Sequence, residues 1–235
     1  MSAVARPPLL IVTEVAPYRE GPAGVHGVLP QAAAALAEVG AMSGLEPIGI
    51  TSVADLTVDQ LGAGGALALF TIGETPFSAA QRAAISASWR HGDLGVLGVH
   101  AAADACHGWD DYGTLLGGRF GGHPWTRSFE IEVVDPTHPS TVHLPHPWPW
   151  HDELYLFDGL RPEVDVLLRV DPAALDMTVP GARVPGYGLP LAWCHTQGQG
   201  RTFYTALGHF PAAWESTTFL AHLLGGLRWL REGAP

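Results

Sequence analysis

Along the first hundred residues, short apolar runs alternate with Ala-rich stretches of helical spacing. Residues 9–15, 47–50, 66–72 and 94–99 read as strands, because near-continuous apolar runs suit a parallel sheet covered on both faces. Between them, residues 29–39 are Ala-rich, with Pro30 in the first helical turn, where its missing N–H costs nothing. Ser78 is placed to cap a helix over 79–90, in which Ile85 and Trp89 stand four apart on one face. Strand–helix alternation of this kind predicts a parallel sheet flanked by helices.

Beyond residue 100 the pattern changes. Residues 112–116 read as a short helix behind Asp110 and Asp111, and 129–134 as a half-exposed strand, with Phe129, Ile131 and Val133 on one side. Residues 135–151 are rich in Pro, His and Trp and read as a long loop, either a lid or aromatic rim for a carbohydrate or a plug over the sheet edge. Further strands are expected at 154–157, 164–170, 189–194 and 201–206, the last two joined by a hairpin turn at Gly198-Gln199-Gly200. A helix over 216–231 would place Phe219, Leu223, Leu227 and Leu230 on one face. The expected fold is one α/β domain over residues 1–235: a mostly parallel central sheet flanked by helices, with added antiparallel strands.

Composition narrows the partners. With 47% hydrophobic and 15% charged residues, the chain has the make-up of an ordered globular domain. A net charge of −11, with only 12 Lys and Arg, argues against nucleic acid and against an anionic membrane surface. No apolar run approaches a membrane span and the N-terminus lacks a signal-peptide core, so a soluble, cytoplasmic protein is expected. Low lysine content and the large apolar share fit a homodimer. Cys106 and Cys194 make no disulfide framework.

The 12 histidines equal Lys and Arg combined, and histidine is a metal ligand and an acid–base group. His100 follows an apolar strand on a small-residue turn, His26 follows the first strand, and His209 follows the last strand. All three fall at the carboxyl edge of the predicted sheet, where open α/β sheets bind ligands. If the first and fourth strands are neighbours, the three imidazoles converge. His26, His100 and His209 would then suit a Zn-like divalent cation. Metal-free acid–base work or simple loop hydrogen bonding are the other readings of the same residues. Asp104, four residues on, would orient His100 from the same helix face or contact a substrate. Glu153, after Asp152, is the carboxylate base or a partner of the imidazoles. His123 and Trp125 sit in a glycine-rich turn suited to a sugar ring, and His195 would lie at the site rim. Cys194 reads as core, and His91, His107 and His222 as structural.

Several segments carry a family resemblance. They are His100-Ala101-Ala102-Ala103-Asp104, Tyr112 through Gly118, Gly122-His123-Pro124-Trp125, Asp152-Glu153-Leu154-Tyr155, Pro190 through His195, and Gly200 through His209. Together they resemble the ThuA-like, or trehalose-utilisation, family; the N-terminal third matches through its first strand, Tyr18, Arg19 and His26. The resemblance implies a class I glutamine-amidotransferase-like fold and a link to disaccharides and their 3-keto derivatives. It also places His209 where amidotransferases keep a catalytic histidine. Those enzymes carry a nucleophilic cysteine where this chain has His100-Ala101-Ala102, so glutaminase chemistry is not expected. The expectation is a sugar-metabolism enzyme, an isomerase, lyase or hydrolase, using His100, His209 and Glu153, with Tyr18, Arg19, Asp104, His123, Trp125 and His195 toward substrate. No nucleotide cofactor is expected. The alternative is a non-catalytic carbohydrate-binding module of the same fold.

Overall fold

The computed structural model describes residues 5–15 and 27–232. His26, Tyr18 and Arg19 lie outside the described residues. Strand β1 (Pro8–Val12) leads to helix α1 (Leu29–Met42) and strand β2 (Glu46–Ile50); a short helix α2 (Val58–Gly62), capped by Thr57, precedes β3 (Gly65–Leu69). Helix α3 (Ala79–His91) starts on the Ser78–Gln81 capping box and stops at Gly92, whose positive φ of 83° ends the helix in the left-handed region. Next come β4 (Leu94–Val99), a 3₁₀ turn His100–Asp104, helix α4 (Tyr112–Leu116), the long strand β5 (Arg119–Val133) and β6 (Trp148–Asp158). Strands β7 (Asp165–Val170), β8 (Leu189–Gln197) and β9 (Gly200–Thr205) follow, with helices α5 (Pro211–Glu215) and α6 (Thr217–Glu232) closing the chain.

Among the described residues, nine strands join one sheet in the order β2-β1-β3-β4-β9-β8-β7-β5-β6. The first five are parallel and the ladders from β9 to β6 antiparallel, so the sheet is mixed, with helices on both faces. Alternate residues of the parallel strands feed two cores. Leu9, Ile11, Ala66, Ala68, Leu97 and Val99 face α1 and α6, while Leu10, Val12, Leu67, Leu69, Leu94 and Val96 face Ile85 and Trp89 of α3. The expected adjacency of the first and fourth strands does not occur: β3 lies between β1 and β4. What β4 does adjoin is β9, so the chain ends after Val99 and after Thr205 emerge side by side.

Two other expectations change. The aromatic-rich stretch is not all loop: β6 begins at Trp148 and pairs with β5 through Ile131↔Trp148 and Phe129↔Trp150. The remaining turn, around His138-Pro139-Ser140, is a plug rather than a lid. His138 stacks on Phe203, His222 bonds the Ser140 carbonyl, and Gly225 of α6 leaves room for the Pro139 backbone, which any Cβ there would strike. Among the described residues no helix is long and apolar enough to cross a membrane.

Candidate functional site

The carboxyl ends of β4 and β9 and the middle of β6 meet at one point. His100 is the first residue after β4 and sits at φ 46°, a left-handed conformation costly for a side chain larger than glycine. Strain of this kind persists only where surrounding contacts hold it. Here the Tyr204 hydroxyl donates to the His100 carbonyl at 2.7 Å and the Tyr112 hydroxyl to the Ala102 carbonyl at 3.0 Å. The His100 side chain is fully buried. Its Nδ1 lies 2.7 Å from the Ala206 carbonyl oxygen, an acceptor, so Nδ1 carries a proton and Nε2 is turned into the cluster.

Three groups face Nε2. His209 Nδ1 lies 3.1 Å from His100 Nε2, the Tyr155 hydroxyl 2.9 Å, and Glu153 Oε2 3.5 Å. His209 Nδ1 and Glu153 Oε2 are themselves 3.3 Å apart. The other carboxylate oxygen, Oε1, stands 3.7 Å from Nδ1 of His123, whose side chain is 42% exposed at the mouth of the cluster. Glu153 and Tyr155 share a strand face by period-two alternation, which is why both reach the same imidazole.

The turn carrying His209 is anchored by the residue next to Glu153. Asp152 is completely buried, and its carboxylate accepts the Gly208 N–H at 2.9 Å, the His209 N–H at 3.3 Å and the Trp150 indole N–H at 3.0 Å. Gly208 adopts φ 118° while its carbonyl accepts the Trp214 indole N–H at 2.9 Å, a conformation open to glycine. Adjacent residues of β6 thus grip His209 twice, Asp152 by its backbone and Glu153 by its side chain.

Burial pushes the Glu153 carboxyl up, but the hydrogen bond and charge of His100, then the charges of His209 and His123, outweigh it and hold the group below the usual glutamate value. Burial pushes His209 down, against the pull of Glu153. At neutral pH the cluster is therefore a carboxylate facing a neutral His209 imidazole. Burial holds the Tyr155 hydroxyl far above its ordinary value, so it remains a proton donor.

His100, Glu153 and His209 form a group that could hold a metal ion. Their donor atoms are 3.1, 3.3 and 3.5 Å apart. A tetrahedral site with metal–ligand bonds of about 2.0–2.1 Å needs neighbouring ligand atoms about 3.3–3.4 Å apart, so the triangle has the required size. The Ala206 carbonyl on His100 Nδ1 is the outer partner that a ligating histidine commonly has.

Other expected site residues lie elsewhere. Asp104 does not orient His100: the turn is 3₁₀ rather than α-helical, and the Asp104 carboxylate bonds His107 Nε2 at 3.0 Å. Trp125 offers no open face, being buried with its indole N–H donated to the Asp176 carbonyl at 2.9 Å. His195 is away from the rim, since it pairs with Thr202 inside the sheet, packs edge-on to Trp89 and lies 3.2 Å from the Leu115 carbonyl. Cys106 and Cys194 are buried thiols pushed up to about 12 by desolvation, which leaves neither a thiolate nucleophile. Tyr155 and the grip of Asp152 had no forecast role. Extending β6 back to Trp148 would have put Glu153 and Tyr155 on one face.

The fold has solved relatives. A thua-like protein from Bacteroides uniformis superposes with a TM-score of 0.75 at 21% identity, covering 98% of this chain and 94% of its own. A second, from Parabacteroides merdae, gives 0.71 at 20% identity over 96% and 91%. PurLQS from Thermotoga maritima matches at 0.52 and 13% identity over 96% of this chain and 99% of that one, a likeness of fold alone. A search of curated protein sequences finds no match. The sequence profile of the ThuA family, described as trehalose utilisation, matches residues 15–230, and the chain belongs to that family.

Proposed function

We propose that this protein is an enzyme of disaccharide utilisation that moves a proton next to a carbonyl group of an oxidised, 3-keto sugar. The observation that carries this reading is the convergence of His100 Nε2, His209 Nδ1 and Glu153 Oε2 within 3.5 Å of one another at the carboxyl edge of the sheet. A carbon beside a carbonyl loses its proton when a base faces the carbon and a donor or positive charge faces the oxygen. Glu153, held as a carboxylate, is the base. His123, exposed beside Oε1, exchanges the proton with solvent. The Tyr155 hydroxyl donates to the oxygen side, with His100 and His209 lining it. Elimination, hydration and isomerisation share this step.

A Zn-like divalent cation fits the same donor triangle, with His100, His209 and Oε2 of Glu153 as its holders; Oε1, which faces His123, would be left as the base. When bound it would supply a Lewis acid for the carbonyl oxygen. The family's link to trehalose and a His-rich site holding a carboxylate support a carbohydrate substrate over a nucleotide or nucleic acid.

The test is incubation of the purified protein with 3-ketotrehalose in D₂O, read by NMR. The expected result is deuterium at C2 or a new product, lost in Glu153→Gln. No exchange and no product would remove the catalytic reading. Elemental analysis of protein purified without a histidine tag tests the cation: about one divalent ion per chain is expected, and none in the His100→Ala, His209→Ala double variant.

A further inference from the structure

At the far end of β9 from His209 lies a second hollow, of about 680 Å³, a size within the range of small-molecule sites. Arg201, near the start of β9, lines it; Thr205, about 13 Å further along the strand, leads to the turn that carries His209. Strand register builds the floor. Asp165 of β7 stands opposite Cys194 of β8, Cys194 opposite Phe203 of β9, and Thr196 opposite Arg201. Directly paired residues project from one face of a sheet, so all of these share the face of Phe203, which packs against His222 of α6. His138, stacked on Phe203, and Trp229 of α6 complete the wall.

The wall is polarised. Asp135 joins Asp165 on the β7 side, because the Val134 N–H bonds the Leu167 carbonyl and so brings the next residue there. Hydrogen bonds from the Thr137 side chain and backbone hold the Asp135 carboxyl below the usual aspartate value, which keeps it ionised at neutral pH. Donors gather on the β9 side. The Arg201 guanidinium stands there, its Nε and Nη2 donating to the Leu230 and Arg231 carbonyls at the end of α6. His138 adds an unmet donor. The Ser140 N–H donates to its Nδ1 at 3.1 Å and burial pushes the ring toward neutrality, so Nε2 carries the proton. His138 is 6% exposed, and its Nε2 has no hydrogen-bond partner among the described residues. A buried N–H left in that state calls for an acceptor.

We infer that this hollow binds a free amino acid with an apolar side chain. The ammonium group faces Asp135 and Asp165. The carboxylate accepts from His138 Nε2 and the Thr196 hydroxyl, on the side where Arg201 stands, and the side chain lies against Trp229. A simple anion would meet the two aspartates, and a simple cation would leave the His138 donor unmet; a zwitterion answers both sides. Strands β7 and β9 are two spacings apart, about 10 Å, which leaves room for such a molecule across β8. The site is independent of the keto-sugar reading.

The experiment is calorimetric titration of the full chain with L-leucine, with leucinamide, which keeps only the ammonium group, and with 4-methylpentanoate, which keeps only the carboxylate. Leucine should bind at least about tenfold more tightly than either analogue, the share of one charge-assisted hydrogen bond. Asp165 and Thr196 are exposed at the rim, so both can be changed with little cost to folding. Asp165→Asn should weaken leucine binding by about fivefold or more, and Thr196→Trp, which fills the hollow, should remove it. Glu153→Gln should bind leucine as the wild type does. No leucine binding in wild type, no advantage over either analogue, wild-type affinity in either folded rim variant, or loss of binding in Glu153→Gln overturns the inference. Circular dichroism identifies a rim variant that fails to fold, and the other variant and the analogue comparison then decide.

Discussion

Among the described residues, two histidine pairs lie out of bulk solvent, one partly and one fully, and their surroundings differ. His100 and His209 meet at the sheet edge, both within 3.5 Å of the Glu153 carboxylate. His138 and His222 meet beneath the 135–147 turn among Phe203, Phe219, Trp148 and Trp229. Each pair loses solvation. Only the first has a carboxylate within 3.5 Å of both imidazoles. Burial pushes His222 down to about 3, with the Ser140 carbonyl as its partner, so that imidazole stays neutral and serves packing. Imidazole burial alone therefore does not mark a reactive site in this fold. Burial against a carboxylate, on a strained turn at the sheet's carboxyl edge, is what sets the proposed site apart.

The sharpest way to break this contrast is to neutralise the anion. Glu153→Gln keeps the shape and removes the charge, and the rate of proton exchange should fall by about 10²–10⁴-fold, the usual share of a general base. The same assay on His222→Leu should give wild-type rates. If Glu153→Gln keeps full activity, the two pairs are equivalent and the proposed chemistry lies elsewhere.

The structural pair should show itself in acid. An unfolded chain protonates His222 near 6.5, whereas the folded chain resists until about 3. Below about 6.5 the unfolded state binds the extra proton, so this contribution to stability is complete above that pH and is lost as pH falls. The slope approaches about 1.4 kcal/mol per pH unit. Urea unfolding of wild type and His222→Leu between pH 7 and 4.5 should show the wild-type advantage shrinking by more than about 2 kcal/mol. A gap that stays constant with pH would mean that His222 is already solvated.

The third expected effect is on geometry. Asp152→Asn keeps the side chain's size but replaces one accepting oxygen with a donor facing the Gly208, His209 and Trp150 N–H groups. Positioning partners of this kind typically change activity or metal affinity by about 10–100-fold. We expect a loss in kcat with KM nearly unchanged, and a shift in tryptophan fluorescence from the freed Trp150 indole. A thermal shift with no kcat change would reduce Asp152 to a structural residue.

Much of this arrangement was legible in the sequence, in proportion to how local its causes are. The strand at Leu94–Val99 and the Ser78 cap follow from apolar runs and side-chain chemistry within a few residues. His100 and His209 were assigned to one edge because each follows a strand end. Sheet order is not local, and an intervening β3 separates the strands expected to adjoin. Asp104 turns to His107 rather than His100 because α and 3₁₀ turns begin with the same residues but direct the fifth side chain differently. Trp125 and His195 show the converse: motifs that look exposed beside glycines or at a strand end are buried by segments distant in sequence, here Asp176 and Leu115.

The smallest effect belongs to Tyr155, and it discriminates between two uses of His100 Nε2. In Tyr155→Phe the ring contacts with His100 and Phe120 remain, while the hydroxyl 2.9 Å from Nε2 is lost. One neutral hydrogen bond amounts to about 1 kcal/mol, or roughly fivefold in an equilibrium constant. If the hydroxyl competes with a cation for the Nε2 lone pair, removing it should tighten Zn²⁺ binding by about that factor. If the hydroxyl serves the substrate oxygen, cation affinity should stay level and kcat should fall severalfold instead. Titrating Zn²⁺ into both proteins and measuring kcat on the same samples separates the two. A variant unchanged in both quantities would leave Tyr155 as packing, and would place this tyrosine with the aromatic shell of His222 rather than with the carboxylate of Glu153.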